Sequence, residues 1–185
     1  MLALDAYPAL LLNADFQPMR AAPLSRYSWR DAVENMVAGK VIPVAWYDKE
    51  VRTPSSTFRL PSVVALKEYV DRNLPAAFTR YNLFLAHDFH CGYCGDRFDP
   101  HELTFEHVLP RCQGGETHFL NIVPACEPCN SRKGGRTPER AGMRLRRQPY
   151  WPTIADLNRI GRKYPPAHCH QTWLDFAYWD AELER

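Results

Sequence analysis

Two cysteine pairs of the same form, Cys91-Gly92-Tyr93-Cys94 and Cys126-Glu127-Pro128-Cys129, are separated by a long stretch of chain. Each C-x2-C pair delivers two thiolates from one tight turn, and two pairs complete the tetrahedral four-sulfur set of a closed zinc site. Gly92 and Gly95 allow the tight backbone that brings amide N–H groups to the sulfurs. With sulfur at all four positions nothing is left open for a substrate, so this Zn2+ is read as structural, and the folding of the region depends on it. A thioredoxin-like redox pair is the competing reading, but it calls for a single C-x-x-C at the start of a helix after a strand. Of the six cysteines, Cys112 and Cys169 are left over. Cys169 sits between His168 and His170 without a matching ligand pair nearby, and is read as a free thiol.

The chain between the pairs carries the other residues of chemical interest. Leu103 to Leu109 reads as a short strand and Pro110 to Gly115 as a turn-rich loop, followed by a second strand near Asn121 to Val123. That strand feeds a helix beginning around Cys126, on which Cys126, Cys129 and Asn130 stand at i, i+3 and i+4 and share one face. Metal binding by the cysteines therefore fixes where Asn130 points. Downstream, Asn130 to Arg147 holds seven basic residues (Arg132, Lys133, Arg136, Arg140, Arg144, Arg146 and Arg147) against the single acid Glu139. The whole chain carries a formal charge of only +2, so positive charge is concentrated here, as on a surface that meets a phosphate backbone. A solvated helix face is the plainer reading of the same block.

These residues together resemble the HNH branch of the ββα-metal nucleases, in its zinc-stapled subgroup with cysteine pairs flanking the motif. The likeness covers about residues 81 to 137 and rests on both pairs, Glu106-His107 followed by Pro110 and Gly114-Gly115, Asn121, and Cys129-Asn130-Ser131-Arg132-Lys133. Leu60-Pro61-Ser62 and the run Thr137 to Met143 also look like a widespread bacterial HNH protein. The resemblance implies that His107 is the general base that takes a proton from the attacking water, a task suited to imidazole. It implies that Asn121 holds the hairpin loop and orients His107, and that Glu106 and Asn130 are ligands of a catalytic divalent metal. The family usually has Asp where Glu106 stands; the charge and donor oxygens are the same on a stem longer by one methylene. Cys112 stands where related sequences often have Ser.

One charged and one neutral oxygen donor favour a hard cation, Mg2+ or Mn2+, which stabilises charge on the scissile phosphate and the leaving 3′ oxygen. Lys133 and Arg132, within a turn of Asn130, are expected to hold neighbouring phosphates, with Arg136, Arg140, Arg144, Arg146 and Arg147 extending the contact. The expected partner is DNA, with RNA an open alternative; the expected state is monomer or homodimer, since one site cuts one strand. A zinc-stapled nucleic-acid-binding module without cleavage is the rival reading, and a protein-interaction scaffold leaves the basic block unexplained. Taken singly, a His after Glu on a strand is an ordinary surface residue, and Asn121 or Asn130 an ordinary turn or cap residue. Their occurrence together with the cysteine pairs decides the reading. His87, His90, His101 and His118 have no place in the motif.

The elements that must position these groups suggest an α+β protein. Hydrophobic residues at 45% and aromatics at 12% describe an ordinary globular chain of 185 residues. The start lacks a basic n-region, and no stretch reaches the ~18 apolar residues of a membrane span. A cytoplasmic protein without a membrane partner is expected, in which paired cysteines bind metal rather than form disulfides. Three regions are expected: an α+β scaffold or substrate-docking unit over 1–80, the nuclease domain over 81–137, and a basic, aromatic, helical extension over 138–185. In the first, Ala9 to Asn13 and Val41 to Tyr47 read as strands, and Ser28 caps a helix over Trp29 to Ala38. That helix presents Ala32, Val33, Met36 and Val37 on one face and ends at Gly39. Val51 to Phe58 reads as a returning strand, and Ser62 to Val70 fits a helix or a strand equally. Tyr81 to His87 reads as a helix, and Thr137-Pro138 as the start of another. Trp173, Phe176, Tyr178 and Trp179 are expected to pack back onto the fold.

Overall fold

The computed structural model describes residues 6–52, 57–164 and 169–177. The fold is α+β, and the chain divides into two compact units, one comprising Met1–Asp71 and Gly161–Arg185, the other Arg72–Ile160. Among the described residues no helix is long and apolar enough to cross a membrane.

In the first unit a four-stranded sheet runs β2-β1-β4-β3, from β1 (Ala9–Leu12), β2 (Arg26–Tyr27), β3 (Val41–Arg52) and β4 (Thr57–Leu66). The inner strands β1 and β4 pair in parallel and are buried on both faces, which is why Ala9 to Leu12 and Val63 to Leu66 are unbroken apolar runs. Leu10, Leu12, Val63 and Ala65 face Trp173, whose indole N–H donates to the Ser62 carbonyl at 2.7 Å. On the other face Ala9, Val41 and Val64 meet Ala32 of helix α1 (Trp29–Val37). The Ser28 hydroxyl accepts from the Asp31 N–H and caps α1, and Gly39 leaves it at φ +71°. Val37 is 86% exposed, contrary to its expected place on the buried face; it lies about 140° around the helix from Ala32.

The strand expected over Val51 to Phe58 is instead the two arms of the β3–β4 hairpin, with Val51 opposite Phe58 and Arg52 opposite Thr57. Ser62 to Leu66 completes β4, which settles the helix-or-strand ambiguity there in favour of strand. Beyond it the buried Asn13 amide both donates to and accepts from the Val70 backbone, at 2.8 and 2.9 Å. Phe176 packs with Trp173, while Tyr178 and Trp179 lie outside the described residues.

The second unit begins its regular structure with α2 (Arg80–Ala86), capped by Thr79, and continues through β5 (Leu103–His107), β6 (Ile122–Cys126) and α3 (Glu127–Lys133). The helix expected from Thr137-Pro138 stops after one turn, released by Gly142 at φ +63°. The reason is legible downstream: Met143-Arg144-Leu145-Arg146 alternates with the period of extended chain, not of a helix. Met143 and Leu145 turn inward onto the cysteine cluster and Arg144 and Arg146 outward. Helix α4 (Ile154–Gly161) follows, and α5 (Leu174–Ala177) closes the described chain.

His87, at the C-cap of α2, is buried, and its Nε2 has no partner among the described residues. Burial first, and the nearby Arg147 charge second, push its pKa down to about 4. The unfolded chain therefore binds a proton that the folded one refuses. The stability this neutral imidazole contributes is present above pH 6.5 and is lost as pH falls from 6.5 to 4, by about 3 kcal/mol in all. Urea unfolding across that range should show the slope in the natural protein and lose it in His87→Asn.

Candidate metal and catalytic site

The first cysteine turn is set by the chain leaving α2, where Asp88 and Phe89 both adopt left-handed backbone. The Gly95 N–H donates to the Cys91 carbonyl, and the Tyr93 N–H lies 3.4 Å from the Cys91 sulfur. Gly92 is pressed against β6: a Cβ there would come within 2.9 Å of the Val123 Cβ, while its own N–H bonds the Pro124 carbonyl. Cys126 ends β6 as the N-cap of α3 and Cys129 lies in the first turn. The four sulfurs come within 4.8 Å of one another, and those of Cys94 and Cys126 are 4.0 Å apart. A tetrahedral site with Zn–S bonds of about 2.3 Å requires sulfurs about 3.8 Å apart, so the donor set fits that ion. Burial pushes the Cys94 thiol up strongly and the Cys129 thiol to about 11. For Cys91 burial acts upward too, but backbone N–H bonds from Cys126, Cys94 and Tyr93 prevail and lower it. Cys112 and Cys169 are free thiols, and neither belongs to a metal-binding cluster among the described residues. Asp99, His101 and Glu102 also draw together, fully on the surface.

Strand β5 pairs antiparallel with β6, placing Glu106 opposite Val123 and His107 opposite Ile122. Alternation along β5 sends Thr104 and Glu106 to the face covered by α3, and Phe105 to the other. There Phe105 packs on Phe78 and Phe84. Asn130 donates to the Thr104 hydroxyl at 2.8 Å, and that hydroxyl spends its proton on the Ala125 carbonyl. The amide orientation of Asn130 is thereby settled, with its side-chain oxygen turned away from Thr104. One turn further, Lys133 Nζ lies 2.5 Å from Glu106 Oε1. Lys133 is wholly buried and Glu106 is 9% exposed. The expectation that Lys133 holds a phosphate is therefore corrected: it stands at i+7 from Cys126, on the inward stripe of α3, and its ammonium is committed to Glu106.

His107 is half-buried, with Nε2 2.9 Å from the Thr117 hydroxyl. Burial is the main force lowering its pKa; Arg111 and Lys133 add to it, and Glu106 opposes them. The loop after His107 closes on Asn121, whose Oδ1 accepts from the Leu109 N–H while Nδ2 donates to the Leu109 and Glu116 carbonyls. Gly115 is required at this closure, since a Cβ would fall 1.8 Å from the Leu109 oxygen. Phe119 anchors the loop from below against Phe78. Replacing Asn121 by Ala removes three hydrogen bonds of about 1 kcal/mol each. The expected result is loss of amide-exchange protection at Leu109 and a stability loss of about 1–3 kcal/mol, read by hydrogen exchange and urea unfolding.

Of the basic block, Arg132, Arg136, Arg140, Arg144 and Arg146 are exposed and Arg147 is half-buried. The Arg136 guanidinium caps α3 by donating to the Lys133 and Arg132 carbonyls. Three neighbours of the site went unread in the sequence: Thr117, Arg111 and Tyr93. Thr117 is ten residues from its partner, with no periodic signal to link them. Arg111 follows the motif Pro directly and could have been found by proximity. Tyr93 lies inside the first cysteine pair; its buried hydroxyl has no partner among the described residues, and burial and then the Glu106 charge hold its pKa well above the usual range.

A ββα finger clasped by four cysteines, with an acid–His pair ending its first strand, is the architecture these contacts define. Residues 91–146 match the family described as HNH endonuclease, and residues 9–73 the one described as HNH endonuclease-associated, N-terminal domain. A segment that matches the HNH endonuclease family thus follows one that matches the N-terminal domain associated with that family. Among curated proteins none gives a significant match.

Proposed function

We propose that this protein is a metal-dependent endonuclease that hydrolyses phosphodiester bonds of DNA, with a structural zinc on Cys91, Cys94, Cys126 and Cys129. The observation that carries the reading is the setting of His107: one ring nitrogen engaged by Thr117, the loop beside it pinned by Asn121, and Glu106 adjacent. In the tautomer whose Nε2–H donates to the Thr117 hydroxyl, the lone pair resides on Nδ1, and there His107 would accept the proton of the attacking water. Glu106 Oε2 and Asn130 Oδ1 are the oxygens that would hold a divalent cation, Mg2+ or Mn2+. Both are left free by the contacts described, and the buried Tyr93 hydroxyl near Glu106, without a partner among the described residues, suits a polar ligand beside it. When bound there, such a cation would supply charge stabilisation at the scissile phosphate and the departing 3′ oxygen. Arg132, Arg140, Arg144 and Arg146 present the charge that meets the phosphate backbone. One site nicks one strand; cutting both takes a homodimer or two successive events. Cytoplasmic placement is part of the proposal, because cysteine pairs that bind metal suit a reducing compartment.

A second reading has a specific observation in its favour. Glu106 already carries a cation, Lys133, as expected of a zinc-stapled module that binds nucleic acid without cutting. Supercoiled plasmid incubated with Mg2+ or Mn2+ separates the two. Conversion to nicked circles, abolished by EDTA too brief to strip the zinc, supports the nuclease. Salt-dependent plasmid binding without cleavage under either metal supports the binding module and overturns the nuclease.

A further inference from the structure

We propose that Lys133 is a resident counter-cation of Glu106, which weakens metal binding by the free protein and leaves metal capture to the arrival of a substrate phosphate. The inference rests on the reading of Glu106 as a metal ligand. It starts from a lysine with no exposed surface, whose ammonium lies 2.5 Å from one carboxylate oxygen. A buried lysine is costly unless paired, and a buried carboxylate likewise, and here the two are paired with each other.

The pair is built into the same helical stripe that makes the zinc site. Cys126, Cys129, Asn130 and Lys133 fall at i, i+3, i+4 and i+7, so the height of α3 over β5 is fixed by the cysteines at one end. At the other end Lys133 meets Glu106, while between them Asn130 meets Thr104. The ammonium engages Oε1 and leaves Oε2 as a single donor, the monodentate mode that Mg2+ prefers.

The sign of the effect follows from charge. A divalent cation on Oε2 would lie only a few ångströms from the Lys133 ammonium, in a site where the effective dielectric is about 20 rather than that of water. The carboxylate charge it meets is already neutralised. Repulsion between a monovalent and a divalent cation at that range outweighs any gain from holding the Glu106 stem still. A phosphate diester restores the missing negative charge, so metal and substrate should bind with mutual assistance.

The test is Mn2+ affinity of the zinc-loaded protein without DNA, measured by electron paramagnetic resonance, for the natural protein, Lys133→Gln and Glu106→Gln. The glutamine at 133 keeps a hydrogen-bond donor for Glu106 and removes only the charge. Tightening by about tenfold or more in Lys133→Gln supports the proposal. Unchanged or weaker binding overturns it and makes Lys133 a clamp. If Glu106→Gln binds Mn2+ as tightly as the natural protein, the assignment of Glu106 as ligand is what fails. Should Lys133→Gln lose its zinc, a second measurement serves: the NMR signal of the Lys133 ammonium in protein carrying Lys133. Addition of Mg2+ to 1 mM is the first arm, and addition with duplex DNA, in His107→Ala to prevent turnover, is the second. A shift that requires DNA supports the proposal, whereas the same shift with Mg2+ alone overturns it.

Discussion

Cys126→Ser is expected to yield a protein whose residues 91–146 no longer fold, while the four-stranded sheet of the first unit survives. The core around the cysteines is small: Cys91, Tyr93, Val123, Ala125 and Cys126 are its buried members among the described residues, and two of these five belong to the four-cysteine cluster itself. Apolar burial on that scale is thin, whereas a structural zinc contributes on the order of 10–16 kcal/mol in small domains. That exceeds most of the about 5–15 kcal/mol by which whole domains are stable. Of the four cysteines Cys126 is the costliest to replace, because it ends β6, stands at the N-cap position of α3 and supports the register that sets Leu103 opposite it. The first unit has its own core on Leu10, Leu12, Val63, Ala65 and Trp173, which owes nothing to the metal. Zinc content together with an amide NMR spectrum checks this. The variant should bind no stable zinc and lose the dispersed signals of β5, β6 and α3, with those of β1 and β4 retained. A zinc-free variant with an unchanged spectrum would sink the structural role.

His107→Ala is the second large effect, and it falls on rate rather than fold. The side chain is half-buried, and its recorded polar contact is the Thr117 hydroxyl, itself on an exposed residue. Removing it leaves Asn121 pinning the loop, the Lys133–Glu106 pair in place and the cysteine cluster intact. A general base contributes about 10²–10⁴ in rate, so single-turnover nicking should fall by that factor. Plasmid affinity should stay within about threefold, since under the proposed function phosphate contacts from the arginines would dominate it. This split between turnover and affinity distinguishes loss of a base from loss of structure.

What the sequence revealed was what local spacing encodes. Two C-x2-C pairs each bring their sulfurs together through a single turn, so the metal cluster needed no knowledge of the fold. Ser28 and Gly39 bounded α1 because caps act within a few residues. The readings that failed depended on distant contacts or on competing periods. Lys133 looked like one more member of a basic run, and only its place on the stripe begun by Cys126, Cys129 and Asn130 shows that it turns inward. Pro138 is a good first residue for a helix, but the alternation from Met143 to Arg146 needed for packing on the cysteine core requires extended chain. Val51 and Phe58 both have strand character, yet they belong to opposite arms of one hairpin, which composition cannot show. The Thr117 contact to His107 exists only once the loop closes on Asn121.

The most direct test of the central reading is nicking of supercoiled plasmid with Mg2+ or Mn2+ by the natural protein and by His107→Ala, matched for zinc content and plasmid binding. The account predicts nicked circles from the natural protein and a loss of about 10²–10⁴ in rate from the variant. Equal cleavage by both would remove His107 from the chemistry, and binding by both without cleavage would leave a zinc-stapled module that holds DNA and does not cut it.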